Sequence, residues 1–378
     1  MKILFVYFDA NLEGGASFAL QYLLGELKRK GVQECCVMPN NGELRDWMND
    51  ENIENHHLWK YAEFIYPAHS SLKDFCFYPY RFLITLLTTF VNTLRVCSLV
   101  IKFSPDFIYS NCGVVACGFF ASKLMRIRHI WHLREYFDLD FKMCFIPSMS
   151  CYRAFLKKSY TIAITPMVAE HLGCLNNIRN KVIYDGVMYS NQSTFSPIKK
   201  KYFLFVGHIQ EVKGCTLLIK AFVNFAKTES GVDLLFAGNG NPEYVEFLKK
   251  IAASEGVLQR ISFLGFRSDR YTLMKNAIAV VVPSFNEAFG FITVEAIMNG
   301  SLVLGYDSGG TKLIMDKIPD VSFPFASESQ LSKLMSFVIN IKEDDYRKRV
   351  FKSQLIAKSL FSIESNGEKI YSFLNSLG

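Results

Sequence analysis

Two acids, Glu287 and Glu295, stand eight positions apart in the stretch Ala277–Gly300, AIAVVVPSFNEAFGFITVEAIMNG. Ala277–Val282 is apolar and β-branched, Pro283-Ser284 ends the run, and a polar, glycine-containing turn leads into a helix-like segment closed by Gly300. This order predicts a buried strand, a loop and a helix, with Glu287 in the loop and Glu295 about one turn inside the helix. A helix start offers N–H groups without intrahelical partners and the positive end of the peptide dipoles, which suits an anion such as a diphosphate. Carboxylates on either side of that anion are poor phosphate ligands but good acceptors for the hydroxyls of a sugar and a ribose. The combination asks for a nucleotide sugar.

Glu287-Ala288-Phe289-Gly290-Phe291-Ile292-Thr293-Val294-Glu295 resembles the E-x7-E element of the retaining GT-B glycosyltransferases of the family 4 type. Two glutamates at this spacing also occur on any solvated helix, and the strand, Phe-Gly turn and helix around them favour the resemblance. It implies that Glu287 meets the donor sugar and Glu295 the ribose. It also implies that the amides over Phe289, Gly290 and Phe291 hold sugar and phosphates, with the Thr293 hydroxyl on a phosphate.

Further motifs follow the same resemblance. Val206-Gly207-His208-Ile209-Gln210-Glu211-Val212-Lys213-Gly214 is similar to the family's strand-end Gly-Arg-x-x-x-x-Lys-Gly. Donor cleavage releases a nucleoside diphosphate whose new charge must be neutralised in the transition state, and Lys213 would supply the cation. His208 stands where the family has Arg, so either the leaving group is held less strongly or another base such as Arg267 compensates. Gly238-Asn239-Gly240 resembles the turn that shapes the nucleotide pocket, and Phe266 in Phe263–Phe266 the wall for its base. Asp307-Ser308-Gly309-Gly310-Thr311 resembles a loop beside the donor, where a Gly pair lets the chain pass close to a ligand.

The first half carries less. Asn11–Ser17, NLEGGAS, follows an apolar run and precedes a helical pattern. In the resembling family such a loop, here with Gly15, borders the diphosphate and the acceptor. It is not G-x-G-x-x-G, which disfavours nicotinamide binding. His132 ends the strand-like Arg128–Leu133, where open α/β sheets collect ligands, and the resemblance places it near the sugar's hydroxymethyl end. A lone His is otherwise structural. Asp138-Leu139-Asp140 looks like a metal-binding D-x-D but follows a strand-end in a βα sequence, so it reads as a chance match. Neither a metal nor a cofactor is expected, the catalytic set being His132, Lys213 and Glu287.

The elements that must position these groups alternate strand and helix, which predicts α/β architecture with parallel sheets and right-handed crossovers. The resemblance makes this a GT-B fold of two Rossmann-like, doubly wound domains facing across a cleft. Residues 1–190 form the acceptor-side domain and 202–355 the nucleotide-sugar domain, and 356–378 form a final helix crossing back to the first. The polar, turn-rich Met188–Lys201 reads as the linker. The length of 378 residues suits two such domains.

Ten cysteines without C-x2-C spacing fit reduced thiols in a cytosol better than zinc or disulfides. The start, MKILFVYFDANLEGG, reads as strand one rather than a signal peptide. Phe82–Ile101 has the length of a membrane span, about 20 residues, but Asn92 and Arg95 interrupt it. The reading is a long, largely buried helix, with peripheral membrane contact as the alternative. Phe141–Tyr160 mixes aromatics with bases and suits either a lipid surface or a helix over a sheet edge. Between residues 60 and 160, thirteen Lys and Arg stand against six Asp and Glu. Such a basic surface is either a solvated face or attracts phosphate-bearing lipids.

The resemblance therefore implies a retaining transferase that moves a sugar from a nucleotide diphosphate sugar to a hydroxyl of a saccharide or lipid-linked acceptor in cell-surface polysaccharide biosynthesis. It would be cytoplasmic, with an anionic membrane surface on the inner face as second partner and no nucleic acid. A nucleotide-sugar epimerase of the same fold and a binding protein with a lapsed active site are the other readings.

Overall fold

The computed structural model describes residues 1–12, 14–59, 65–67 and 72–378, and its contacts divide them into two units. One comprises Met1–Gly186 with Asn366–Gly378, the other Val187–Ser365. Glu13 of the glycine loop lies outside the described residues.

The first unit contains, in chain order, β1 (Lys2–Val6), β2 (Gln33–Met38), β3 (Glu54–His57), β4 (Ile65–Pro67), β5 (Phe107–Asn111), β6 (Arg128–Leu133), β7 (Met143–Phe145), β8 (Tyr160–Ala163) and β9 (Asn180–Val182). Seven of them form a parallel sheet in the order β3-β2-β1-β5-β6-β8-β9, and β4 pairs antiparallel with β7. β5 is buried along its whole length and β1 from Ile3 onward, which is why both read as continuous apolar runs. The order reverses at β1, whose neighbours are β2 and β5, so this unit's ligand crevice lies beyond their carboxyl ends. Helix Gly15–Arg29 starts there, after Gly14 takes a φ of 82°. Leu20, Leu23, Leu24 and Leu27 face inward at the expected spacing. β3 reads ENHH, a polar edge strand without alternation, and sequence patterning misses it.

The apolar segment folds as one helix, Leu72–Phe103. Only one face is buried, so the expected largely buried helix is corrected to a half-buried one. Asn92 is fully buried and binds the Trp59 backbone at both ends, accepting from its N–H at 2.8 Å and donating to its carbonyl at 3.1 Å. The aromatic and basic segment after residue 141 packs inward: helix Met149–Leu156 buries Tyr152 and Leu156, and Tyr152 stacks on Phe145 with centroids 4.0 Å apart.

The second unit adds β10 (Tyr202–Val206), β11 (Asp233–Ala237), β12 (Ile261–Phe263), β13 (Ala279–Val282), β14 (Leu302–Tyr306) and β15 (Ser322–Phe325). Its parallel sheet runs β12-β11-β10-β13-β14-β15 and reverses between β10 and β13. β13, AVVV, is buried at every position. β15, SFPF, carries a Pro that hides it from strand patterning, as edge positions allow.

Met188–Lys201 is not a free linker, because it is strapped to this unit. Thr194 N–H donates to the Met298 carbonyl at 3.0 Å, and Lys199 Nζ to the carbonyls of Lys275 and Gly300 at 2.6 and 2.9 Å. Helix Glu343–Phe361 buries Tyr346, Val350, Ala357 and Phe361 in the same unit. The division therefore falls at 365/366 rather than 355/356. Beyond it, Asn366 Nδ2 donates to the Tyr184 carbonyl of the first unit at 2.7 Å.

Candidate functional site

In the second unit the reversal of strand order brings three segments together. β10 ends in Val206-Gly207, β13 runs into Pro283-Ser284, and helix Phe291–Met298 begins beside them. With Phe205, Lys213, Glu287 and Ile292 they line a cavity of about 100 Å³. Gly214, at φ 72°, lets Lys213 reach it: a Cβ there would lie 2.1 Å from the Pro283 carbonyl oxygen. Lys213 Nζ donates to Glu287 Oε1 at 2.7 Å, so the expected cation and first acid meet in one partly exposed ion pair.

The Glu287 loop is held from behind. Gly310 N–H donates to the Glu287 carbonyl at 2.7 Å, and a Cβ on Gly310 would lie 2.0 Å from the Phe289 carbonyl oxygen. The Gly309-Gly310 pair thus serves close passage of one backbone past another. Phe289 is buried against Phe291 and Phe361. Gly290 takes a φ of 101° and turns the chain into the helix; its carbonyl accepts from the N–H groups of Thr293 and Val294 at 3.1 and 3.3 Å, and those of Phe291 and Ile292 come before the first intrahelical bond.

Glu295 does not line that cavity. Arg270 Nη2 and the Tyr271 hydroxyl donate to its Oε1 at 3.1 and 3.2 Å, while Oε2 is buried and has no hydrogen-bond partner among the described residues. Burial raises the Glu295 pKa, and Arg270 pulls against that rise. Arg270 and Tyr271 escape sequence reasoning because they belong to no motif and approach from a different helix, Arg270–Asn276.

Other expected residues are distributed as follows. Gly207, Gly238 and Gly265 interlock at the strand ends: Gly207 N–H donates to Ala237, Gly238 N–H donates to Gly265, and a Cβ on Gly238 would lie 1.9 Å from the Gly207 oxygen. His208 follows as an exposed side chain. Phe266 is 72% exposed, with its N–H anchored on Asn239 Oδ1 at 3.0 Å, so its ring is a platform rather than a core wall. Arg267 forms two 2.7 Å bonds with Asp269 and is therefore already engaged. Thr293 is fully buried, its Oγ1 3.4 Å from Thr311 Oγ1, which corrects its placement on a phosphate.

In the first unit, Gly15 is exposed at the start of its helix. His132 is wholly enclosed. Its Nδ1 faces the Tyr109 hydroxyl at 2.7 Å and Arg134 Nη2 at 3.1 Å. Arginine only donates, so Nδ1 accepts and the neutral ring carries its proton on Nε2, 3.8 Å from Asp185 Oδ1. Burial, seconded by the Arg134 charge, pushes the imidazole pKa well below its usual value.

Of the D-x-D, Asp138 is committed to His171 at 2.7 Å. Cys35, Glu54 and His56 on β2 and β3 have potential ligand atoms within 4.8 Å of one another. Glu54 and His56 already pair at 2.7 Å, and burial drives the Cys35 thiol up to about 12, away from the thiolate that metals prefer.

This geometry meets an independent likeness. Residues 190–350 match the family described as glycosyl transferases group 1. The D-inositol 3-phosphate glycosyltransferase of Corynebacterium kroppenstedtii is 30% identical over 128 residues, 32% of this chain and 28% of that protein. A glycosyltransferase of Methanocaldococcus jannaschii is 34% identical over 113 residues, 29% of this chain and 28% of that one. The matched region thus spans little more than a quarter of these curated relatives. The crystal structure of Anabaena HepE in complex with UDP has a TM-score of 0.80 at 19% identity, with both chains covered in full. The lipopolysaccharide outer core galactosyltransferase WaaB reaches 0.73 at 15%, again over both full chains. Residues 190–350, within the second unit, thus match the group 1 glycosyltransferases, and the two Rossmann-like parallel-sheet units share the GT-B fold of these structures.

Proposed function

We propose that this chain transfers a sugar from a nucleotide diphosphate sugar to a hydroxyl of a saccharide or lipid-linked acceptor, with retention at the anomeric carbon, in cell-surface polysaccharide biosynthesis on the cytoplasmic side. One observation carries the reading: Lys213, Glu287 and the start of helix Phe291–Met298 share a cavity at the switch point of a parallel sheet. The diphosphate takes the Lys213 cation and the first-turn amides, and Glu287 accepts from sugar hydroxyls. Glu295 offers Oε2 to the ribose, and Phe266 stacks on the base. His132, wholly enclosed against Tyr109 and Arg134, has no part in this reading. The reading uses neither a metal nor a covalent nucleophile. Rate enhancement comes from positioning the donor and from stabilising the departing diphosphate.

HepE was crystallised with UDP and with UDP-glucose, so uridine diphosphate heads the panel to test. UDP, GDP and ADP are compared by thermal shift, since a ligand that binds only the folded chain raises the midpoint. The matching sugar nucleotide is then assayed for release of its diphosphate in the presence of glycosyl acceptors. A midpoint rise with one nucleotide, diminished by Glu295→Gln, and diphosphate release are expected. No shift with any nucleotide overturns the reading. The exposed His208, in place of an arginine, favours the lapsed binding protein as second reading. That reading predicts a shift without release.

A further inference from the structure

We propose that the outward face of helix Leu72–Phe103 docks the first unit on an anionic bilayer surface. The polarity of this helix is inverted. Over its middle turns the buried face carries Thr85, Thr88, Thr89, Asn92 and Thr93, with apolar Val96, Leu99 and Val100 buried only in the last turns, whereas Tyr80, Leu83, Leu87, Phe90, Leu94 and Ile101 point outward. Leu83, Phe90 and Ile101 are 64%, 62% and 71% exposed. Three of these groups are satisfied locally: Thr88 Oγ1 donates to the Ile84 carbonyl at 2.9 Å, Thr93 Oγ1 to Thr89 at 2.7 Å, and Asn92 holds the Trp59 backbone, while Thr85 Oγ1 is buried without a hydrogen-bond partner among the described residues. Water-facing helices put such residues outside and leucine inside. The reversal therefore calls for an apolar medium on the outer side.

From Tyr80 to Leu94 the outer residues recur at three- and four-residue steps and Ile101 follows two turns on, so they form one stripe that runs roughly 30 Å along the axis. Soluble monomers rarely leave a contiguous apolar patch larger than a few hundred Å². By length and composition the helix could cross a membrane, but its other face packs on helix Cys117–Met125 and on β1 of the same unit. The helix thus lies along a surface instead of passing through it.

Charge selects the partner. Between Asp74 and Asp106 the sequence holds no acid, and its only ionisable bases are Arg81, Arg95 and Lys102. Lys102 and Arg95 are exposed and lie along one edge of the stripe at helical spacing. Aromatic and aliphatic side chains flanked by cations suit the headgroup and acyl boundary of an anionic membrane. A second copy of this helix would bring like charges together with no acid to answer them, in contrast to the opposite-charge flanks of paired helices.

The test is flotation of the full chain with vesicles of phosphatidylcholine alone or mixed with phosphatidylglycerol, at low salt, and it does not depend on the reading of the donor site. The wild type should float with the mixed vesicles. The bound fraction should fall about tenfold in Leu83→Gln/Phe90→Gln and about threefold in Arg95→Gln/Lys102→Gln, with the thermal midpoint of both kept. Hydrogen exchange on the unmodified chain gives a variant-free readout: amides over residues 80–101 should slow when mixed vesicles are added. Equal flotation of the leucine-phenylalanine variant, unchanged exchange, or a wild-type dimer that this variant dissolves without any vesicle binding would each overturn the proposal.

Discussion

Lys213 and Glu287 neutralise each other in the absence of donor, and the proposed site makes their effects on nucleotide binding opposite in sign. A cation 4 Å from a phosphate charge gains about 4 kcal/mol at an effective dielectric near 20. Lys213 is about a third exposed, so solvent and salt remove roughly half of that. Lys213→Met should therefore weaken nucleoside diphosphate binding by about 2 kcal/mol, roughly thirtyfold in Kd, and flatten its salt dependence. Glu287→Gln removes a negative charge from beside the diphosphate and frees Nζ from its 2.7 Å partner. The bare nucleotide should then bind about threefold to tenfold tighter, while sugar transfer falls because the sugar hydroxyls lose a charged acceptor. The double variant should bind more tightly than Lys213→Met alone, with a coupling of about 1 kcal/mol. Isothermal titration with UDP, or with whichever nucleotide shifts the midpoint most, at two salt concentrations measures all four corners. If Glu287→Gln weakens the nucleotide as much as Lys213→Met does, or if Lys213→Met stays within twofold of wild type, the two groups do not flank a diphosphate.

Three further outcomes follow. Glu295→Gln should weaken a ribonucleotide about tenfold but leave its 2′,3′-dideoxy analogue unchanged, and Arg270→Gln should shrink the same discrimination by releasing the anchor on Oε1; equal losses for both nucleotides would refute a ribose contact. Gly310→Ala should lower stability by about 2 kcal/mol in denaturant and loosen nucleotide binding with it, because its Cβ would lie 2.0 Å from the Phe289 oxygen; wild-type values for both would contradict the account of the Glu287 loop. Glu34 is buried, both of its carboxyl oxygens have no hydrogen-bond partner among the described residues, and burial lifts its pKa to about 9, with Lys28 pulling the other way. A folded-state value above the unfolded one means stability that is full below pH 4.5 and is lost as pH rises toward 9. Glu34→Gln should thus match wild type near pH 4 and exceed it by up to about 3 kcal/mol at pH 7 in urea melts; a pH-independent difference would refute this.

What could be read from the sequence was local along the chain. The strand, Phe-Gly turn and helix that carry Glu287 and Glu295 lie within two dozen consecutive residues, and each element has its own signal: a β-branched run, a turn glycine, a closing glycine. The same holds for Gly207 through Gly214 at the end of β10. The site's supports were illegible because they arrive from elsewhere. Arg270 reaches Glu295 across 25 positions, and Gly310 holds the carbonyl of Glu287 from the next βα unit. Nothing in the spacing of either residue marks it.

The helix Leu72–Phe103 failed in another way. Its threonines and leucines were all visible, and helical periodicity sorts them onto two faces, but periodicity does not say which face meets the protein. The usual assumption, apolar side inward, gives a buried helix. Asn92 decides against it, because a single side chain that satisfies both the N–H and the carbonyl of Trp59 pins the polar face to the fold. Unpaired, those backbone groups would each cost about 1–3 kcal/mol when buried, so rotating the helix to hide its leucines would expose Asn92 and orphan Trp59 together. The apolar stripe faces outward because the polar one is already engaged.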